Sequence, residues 1–155
     1  MRTSISSSLY YDDFQVGQRF ISQTRTVTEA DIVNFANLAW DHNQLHTDEE
    51  YASTTIYRKR IAHGILGIAI HSGLTYQLTE KTILAFLGLT WQFKLPIYIG
   101  DTIHVEQVVK EMRDSSKPDR GILTFEKEII NQRGEVVQTG TTTVLLARRN
   151  HLPHR

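Results

Sequence analysis

The chain contains no cysteine, which removes disulfides, thiolate metal sites and a cysteine nucleophile from consideration. Such a composition fits a reducing cytoplasm, the expected location. Neither sign of charge is in excess: 17 Lys and Arg balance 17 Asp and Glu, so there is no long-range field to gather nucleic acid or an anionic membrane surface. Neither is expected as a partner. The first eleven residues are polar and serine-rich, with Ile5 and Leu9 as their aliphatic side chains, and lack the apolar centre of a secretory signal. The longest apolar stretch, residues 65–78, is interrupted by His71, Ser72 and Gln77 and falls short of the ~20 residues of a membrane span. It reads as a helix buried in protein. Repeats, heptads and low-complexity blocks are also missing, and 155 residues suffice for one well-buried core without room for a second domain.

What is present divides into a helical first half and a β-rich second half. After a turn over residues 12–17, residues 18–27 alternate, with Phe20, Ser22 and Thr24 opposite Ile21, Gln23 and Arg25, as in a first strand. Thr28 and Asp31 form a capping box for a helix over 29–39, on which Ile32, Phe35, Ala36 and Ala39 fall at helical spacing. Thr47 and Glu50 form a second box, predicting a short helix through Tyr51 and Ala52 and making residues 40–46 a connecting loop. The segment from Ile65 to Leu74 is apolar on nearly every side, so it must be surrounded. Alternating runs near 85–95, 100–112, 121–131 and 135–147, separated by short turns, predict an antiparallel sheet to wrap it. The expected fold is α+β: one domain with a core over about 10–148, an antiparallel sheet curled around a long central helix at about 64–78, and short helices before it. An unspecified α+β sandwich is the alternative, and both ends, including the basic tail 148–155, are expected to fray.

Two places could carry chemistry. Asp41 and His46 lie five residues apart between two capped segments, a spacing that lets a turn bring a carboxylate and an imidazole to one water molecule. Equally, Asp41 could close an Asx turn and His46 lie on the surface. His63 and Gly64 head the central helix, where free N–H groups and partial positive charge could bind a thioester oxygen, unless Gly64 and Gly67 serve only close packing. Ser72, a little over two turns on, lies on a similar face, although a buried serine commonly bonds back to a carbonyl of its own helix. A metal site from Asp41, His42, His46 and Asp48 is disfavoured, because the i,i+4 histidine spacing helps only on a helix. His71, His104, His151 and His154 have no acidic partner that the sequence assigns.

Taken in order, Tyr11-Asp12-Asp13-Phe14 with Gly17, Arg25 to Asp31 with Phe35-Ala36, Asp41-His42-Asn43-Gln44-Leu45-His46, Ile61-Ala62-His63-Gly64, Ser72-Gly73-Leu74, Phe93-Lys94-Leu95-Pro96 and Gly100-Asp101-Thr102 resemble the MaoC-like dehydratases. That hotdog-fold group includes the R-specific enoyl-CoA hydratases. The resemblance implies that Asp41 and His46 activate a water that adds to C3 of a trans-2-enoyl thioester while C2 receives a proton. It makes the Gly64 N–H the oxyanion donor, gives Ser72 a supporting role and leaves Asn43 to fix the loop. It implies no cofactor, an acyl-CoA or acyl-carrier-protein thioester as substrate, and a homodimer or dimer-based oligomer. His63, Trp40, Arg58, Lys59 and Arg60 are the expected substrate-binding residues, the basic cluster facing CoA phosphates unless it is simply solvated. Gln44 replaces the proline of the family motif D-x-N-P-[IL]-H, and Trp40 stands where glycine is common; both changes are expected to reshape the acyl pocket. A hotdog thioesterase and a non-catalytic acyl-thioester-binding protein are the competing functions.

Overall fold

The structure, a computed structural model, describes residues 8–151; the expectations for the extreme termini fall outside them. A 3-10 turn at Tyr11–Asp13 leads to two short strands, β1 (Arg19–Ile21) and β2 (Arg25–Thr26). Helices α1 (Glu29–Ala39), α2 (Gln44–Thr47), α3 (Glu49–Ser53) and α4 (Gly64–Thr75) follow, the last extended by a 3-10 turn at Tyr76–Leu78. Four long strands complete the fold: β3 (Ile83–Phe93), β4 (Thr102–Asp114), β5 (Arg120–Ile130) and β6 (Val136–Ala147). The sheet order is β1-β4-β5-β6-β3, with β2 also on β4, and every pairing is antiparallel. The hotdog architecture is thus present, α4 lying across the inner face of the sheet.

Period-two burial builds the core. Ile103, Val105 and Val109 of β4 and Leu123, Phe125 and Ile129 of β5 point inward, since alternate side chains share a face. Against them α4 packs Leu66 and Ile70, with Val27, Ile32 and Val137 in the same cluster. A second cluster under the 3-10 extension joins Tyr11, Phe14, Phe20, Leu78 and Leu146, and the Phe14 ring meets Phe20 and Phe125 edge-on. Truncating any of the larger aliphatic side chains to Ala should cost about 2–5 kcal/mol.

Four expectations need correction. The single strand over 18–27 is broken at Ser22, whose hydroxyl accepts the Val105 N–H at 2.8 Å in place of a ladder carbonyl. The second cap is Asp48, whose Oδ1 accepts the Tyr51 N–H at 2.9 Å, while the Thr47 hydroxyl turns back to the His42 and Asn43 carbonyls. Residues 40–46 are therefore not all loop, because α2 begins at Gln44. The tail does not fray at 148: Arg148 donates to Asp12 at 3.0 Å and Arg149 pairs with Asp13. Finally, α4 is not surrounded, because one sheet covers only one side of a helix. Ile65 is 58% exposed, and Ala69, Ser72, Gly73 and Tyr76 extend the same open face.

Candidate active site

The site begins where α1 stops. Trp40 takes a left-handed conformation (φ 61°, ψ 18°), which ends the helix and sends Asp41 off its axis. Asp41 Oδ1 accepts the Asn43 N–H at 3.2 Å, and Asn43 Oδ1 accepts the Leu45 N–H at 3.0 Å to cap α2. The Asx turn is real, but it does not leave His46 on the surface. The capped turn of α2 buries the imidazole, with Nδ1 at 2.8 Å from the Ile61 carbonyl. A carbonyl can only accept, so Nδ1 carries the proton and the neutral ring keeps its lone pair on Nε2.

His63 completes the arrangement. Its ring stacks on His46 with centroids 3.8 Å apart and packs on Phe35, and its Nε2 donates to the Asp41 carbonyl at 2.9 Å. Burial is the main cause holding the His63 pKa below the ordinary histidine value, reinforced by His46 nearby. His63 is accordingly neutral at pH 7, with Nδ1 a buried acceptor that has no partner among the described residues. One ligand atom from each of Asp41, His46 and His63 lies within 4.8 Å of the others. Two imidazoles and a carboxylate with ligand atoms this close form a group of the kind that can hold one water molecule or one divalent ion. The grouping differs from the set read from spacing: Asp48 is spent on the α3 cap, and His63, more than a dozen residues away, takes a place that the i,i+4 rule gave to His42.

Gly64 is the first residue of α4, so its N–H has no partner inside the helix and points along the positive end of the dipole. Close packing and donor exposure coincide here. A Cβ at Gly64 would meet Phe93 Cε1 at 2.8 Å, and one at Gly67 would strike the Gln138 side chain. Gln138 in turn donates to the Gly64 carbonyl at 3.2 Å and accepts the Trp91 indole N–H at 2.9 Å, bracing the helix start against β3 and β6. The Ser72 hydroxyl makes no hydrogen bond among the described residues; Thr75 is the residue that bonds back, to the His71 carbonyl at 3.1 Å. Ser72 lines a cavity of about 240 Å³ that also contains Thr75 and His71.

The remaining candidates separate. Arg60 donates a bidentate pair to Glu29 (2.6 and 2.8 Å) and a bond to Glu49 (2.8 Å), tying α1 to α3. Lys59 Nζ sits 4.4 Å over the Tyr98 ring, and Arg58 is exposed in a left-handed turn. Trp40 is 87% exposed beside Asp41. Sequence reasoning passed over one feature: His71, buried and without an acidic partner, faces Lys127 Nζ at 2.9 Å. Strand parity was the signal for it, since Lys127 falls in register with inward-pointing Leu123, Phe125 and Ile129.

Residues 13–129 match the MaoC like domain family. The chain belongs to that family. This MaoC-like protein is 32% identical over 140 residues to the (R)-specific enoyl-CoA hydratase of Rhodospirillum rubrum, spanning 90% of its own length and 93% of that enzyme's. It superposes on the monoamine oxidase regulatory protein of Archaeoglobus fulgius with a TM-score of 0.85 at 36% identity, covering 92% of this chain and 96% of that one. A Mycobacterium tuberculosis protein with a double hotdog fold gives the same TM-score at 19% identity, over 96% of this chain and 47% of that one, and speaks to the fold alone. The family's name and relatives named (R)-specific enoyl-CoA hydratase and 3-hydroxybutyryl-CoA dehydratase make the MaoC-like chain a hydratase or dehydratase, a hydro-lyase. Among the described residues no helix is long and apolar enough to cross a membrane.

Proposed function

We propose that this MaoC-like protein is an (R)-specific enoyl-CoA hydratase, adding water reversibly to a trans-2-enoyl thioester. The observation that supports this most is the tautomer of His46. With Nδ1 held by the Ile61 carbonyl, Nε2 is left as the basic atom of a ring that forms one group with Asp41 and His63. A water held between Asp41 and His46 loses a proton to this pair as its oxygen bonds to C3. Electron density moves through C2 to the thioester oxygen, where the Gly64 N–H stabilises the enolate. The proton held by the pair then passes to C2, so that H and OH of one water are both accounted for, and dehydration retraces the same path. His63 acts on the pair rather than on substrate, fixing Asp41 through its backbone and His46 by stacking.

We further propose a homodimer through β3. This edge strand exposes Ile83, Leu84, Phe86, Leu87, Leu89 and Phe93, an apolar, unpaired edge of the kind that recruits another strand. A second copy there would also approach the open face of α4.

The test is hydration of crotonyl-CoA by wild type, Asp41→Asn and His46→Asn. Each substitution should lower the rate by ~10²–10⁴, with no loss on treatment with EDTA. A wild-type rate in either variant removes the mechanism; loss in EDTA with recovery on adding zinc replaces the held water with a metal-bound one. Release of free CoA from an acyl-CoA would point to a thioesterase instead.

A further inference from the structure

The inner face of the sheet carries one polar tier among apolar ones. Gln107 of β4 and Lys127 of β5 are directly opposed in register, Thr142 of β6 stands opposite Phe125, one inward step along β5 from Lys127, and His71 reaches down from α4. All four side chains are more than nine-tenths buried, and all line the 240 Å³ cavity that opens beside Ser72. Lys127 Nζ is 2.9 Å from His71 Nε2 and 5.4 Å from the centre of the Phe125 ring. His71 Nδ1 donates to the Ile68 carbonyl at 2.9 Å, so Nε2 of the neutral ring accepts from the ammonium.

The tier is incomplete by itself. Gln107 Oε1 and Thr142 Oγ1 are buried without a hydrogen-bond partner among the described residues, and no carboxylate pairs with Lys127 among them. A buried cation and two unsatisfied polar groups facing one space is a costly arrangement for packing alone. It becomes favourable when an anionic oxygen group takes a charge-assisted bond from Lys127 and a second from the freely rotating Thr142 hydroxyl, with the Gln107 amide turned to donate. Glu80 is the acidic residue of the lining; it is exposed, so water screens it.

We propose that this cavity receives the far end of the acyl chain and that the chain ends in a carboxylate, making dicarboxylic acyl thioesters the substrate class. The proposal rests on the acyl-thioester reading of the Asp41/His46 site. The seven helical steps from Gly64 to His71 rise about 10 Å, so the thioester oxygen at one end and the carboxylate at the other suit a chain of medium length.

The experiment measures dissociation constants by calorimetry for suberoyl-CoA and octanoyl-CoA, saturated thioesters that bind whether or not hydration occurs. Wild type should bind suberoyl-CoA about tenfold to a hundredfold more tightly, as expected for a hydrogen bond to a charged group. Lys127→Met should abolish that preference and turn it toward octanoyl-CoA. Thr142→Val, which keeps the cation, should weaken suberoyl-CoA severalfold and provides a second check if Lys127→Met folds poorly. Equal binding, or an octanoyl preference in wild type, overturns the proposal while leaving the hydratase reading intact. Failure to hydrate any enoyl-CoA despite a suberoyl preference overturns the hydratase reading alone, and no binding of either thioester overturns both.

Discussion

Replacing Lys127 with methionine should change the stability of this protein in a direction that depends on pH. Burial pushes the lysine down from 10.5 to about 7, a difference of roughly 3.5 units at ~1.36 kcal/mol each. At pH 7 the unfolded chain holds this proton while about half of the folded molecules do not, so the lysine costs about 4 kcal/mol relative to its neutral form. At pH 10 the unfolded lysine is itself losing its proton, and the cost falls to about 1 kcal/mol or less. The sign follows from linkage: the folded pKa is depressed, the unfolded state binds more protons between 7 and 10.5, and wild-type stability climbs across that window. Methionine removes the titration but leaves His71 Nε2 without its donor, at a constant cost of about 1–3 kcal/mol. Lys127→Met should therefore be more stable than wild type by about 2 kcal/mol at pH 7 and less stable by about 1 kcal/mol at pH 10. Urea denaturation of both proteins across pH 6.5 to 10, at one fixed protein concentration, measures the difference. The raised Tyr11 pKa contributes equally to both and cancels. A stability difference that is flat with pH would refute the reasoning, for it would mean that Lys127 titrates alike in the folded and unfolded chains.

Two further substitutions test the rim of the site and the sheet edge. Trp40→Gly should raise stability by about 1 kcal/mol, because glycine adopts the left-handed conformation without the Cβ penalty and the exposed indole gives up little burial; a shift of the urea midpoint measures it, and an unchanged acyl-length profile in the same variant would remove Trp40 from the acyl pocket. Leu87→Glu, on the edge strand β3, should convert a wild-type dimer to monomer in sedimentation velocity, and a wild type that sediments as a monomer at micromolar concentration would dispose of the β3 interface.

What could be read in the sequence was whatever is encoded over short range. Thr28 and Asp31 specify the start of α1 by reaching one another's backbone N–H groups, a bargain struck within four residues, and the alternation of β4 and β5 is a property of each strand alone. Boundaries failed where two local solutions compete: Asp48 and Thr47 can each cap a helix, and Asp48 prevails because Thr47 has carbonyls of α2 to bond. At the site, Asp41, Asn43 and His46 were visible because they lie within six residues of one another. His63 was read as a helix start and a substrate-binding residue but not as a neighbour of His46, since their meeting depends on the chain returning through Ile61 to α2. The Lys127 and His71 pair lay further still from local reading, joining a strand to a helix 56 positions earlier in sequence. Yet half of that contact was written plainly, because a lysine in the inward row of a core strand already requires a partner. The same logic separates the two sites by range: Asp41, Asn43 and His46 fall within six residues of sequence, whereas the Lys127 tier joins three strands and a helix.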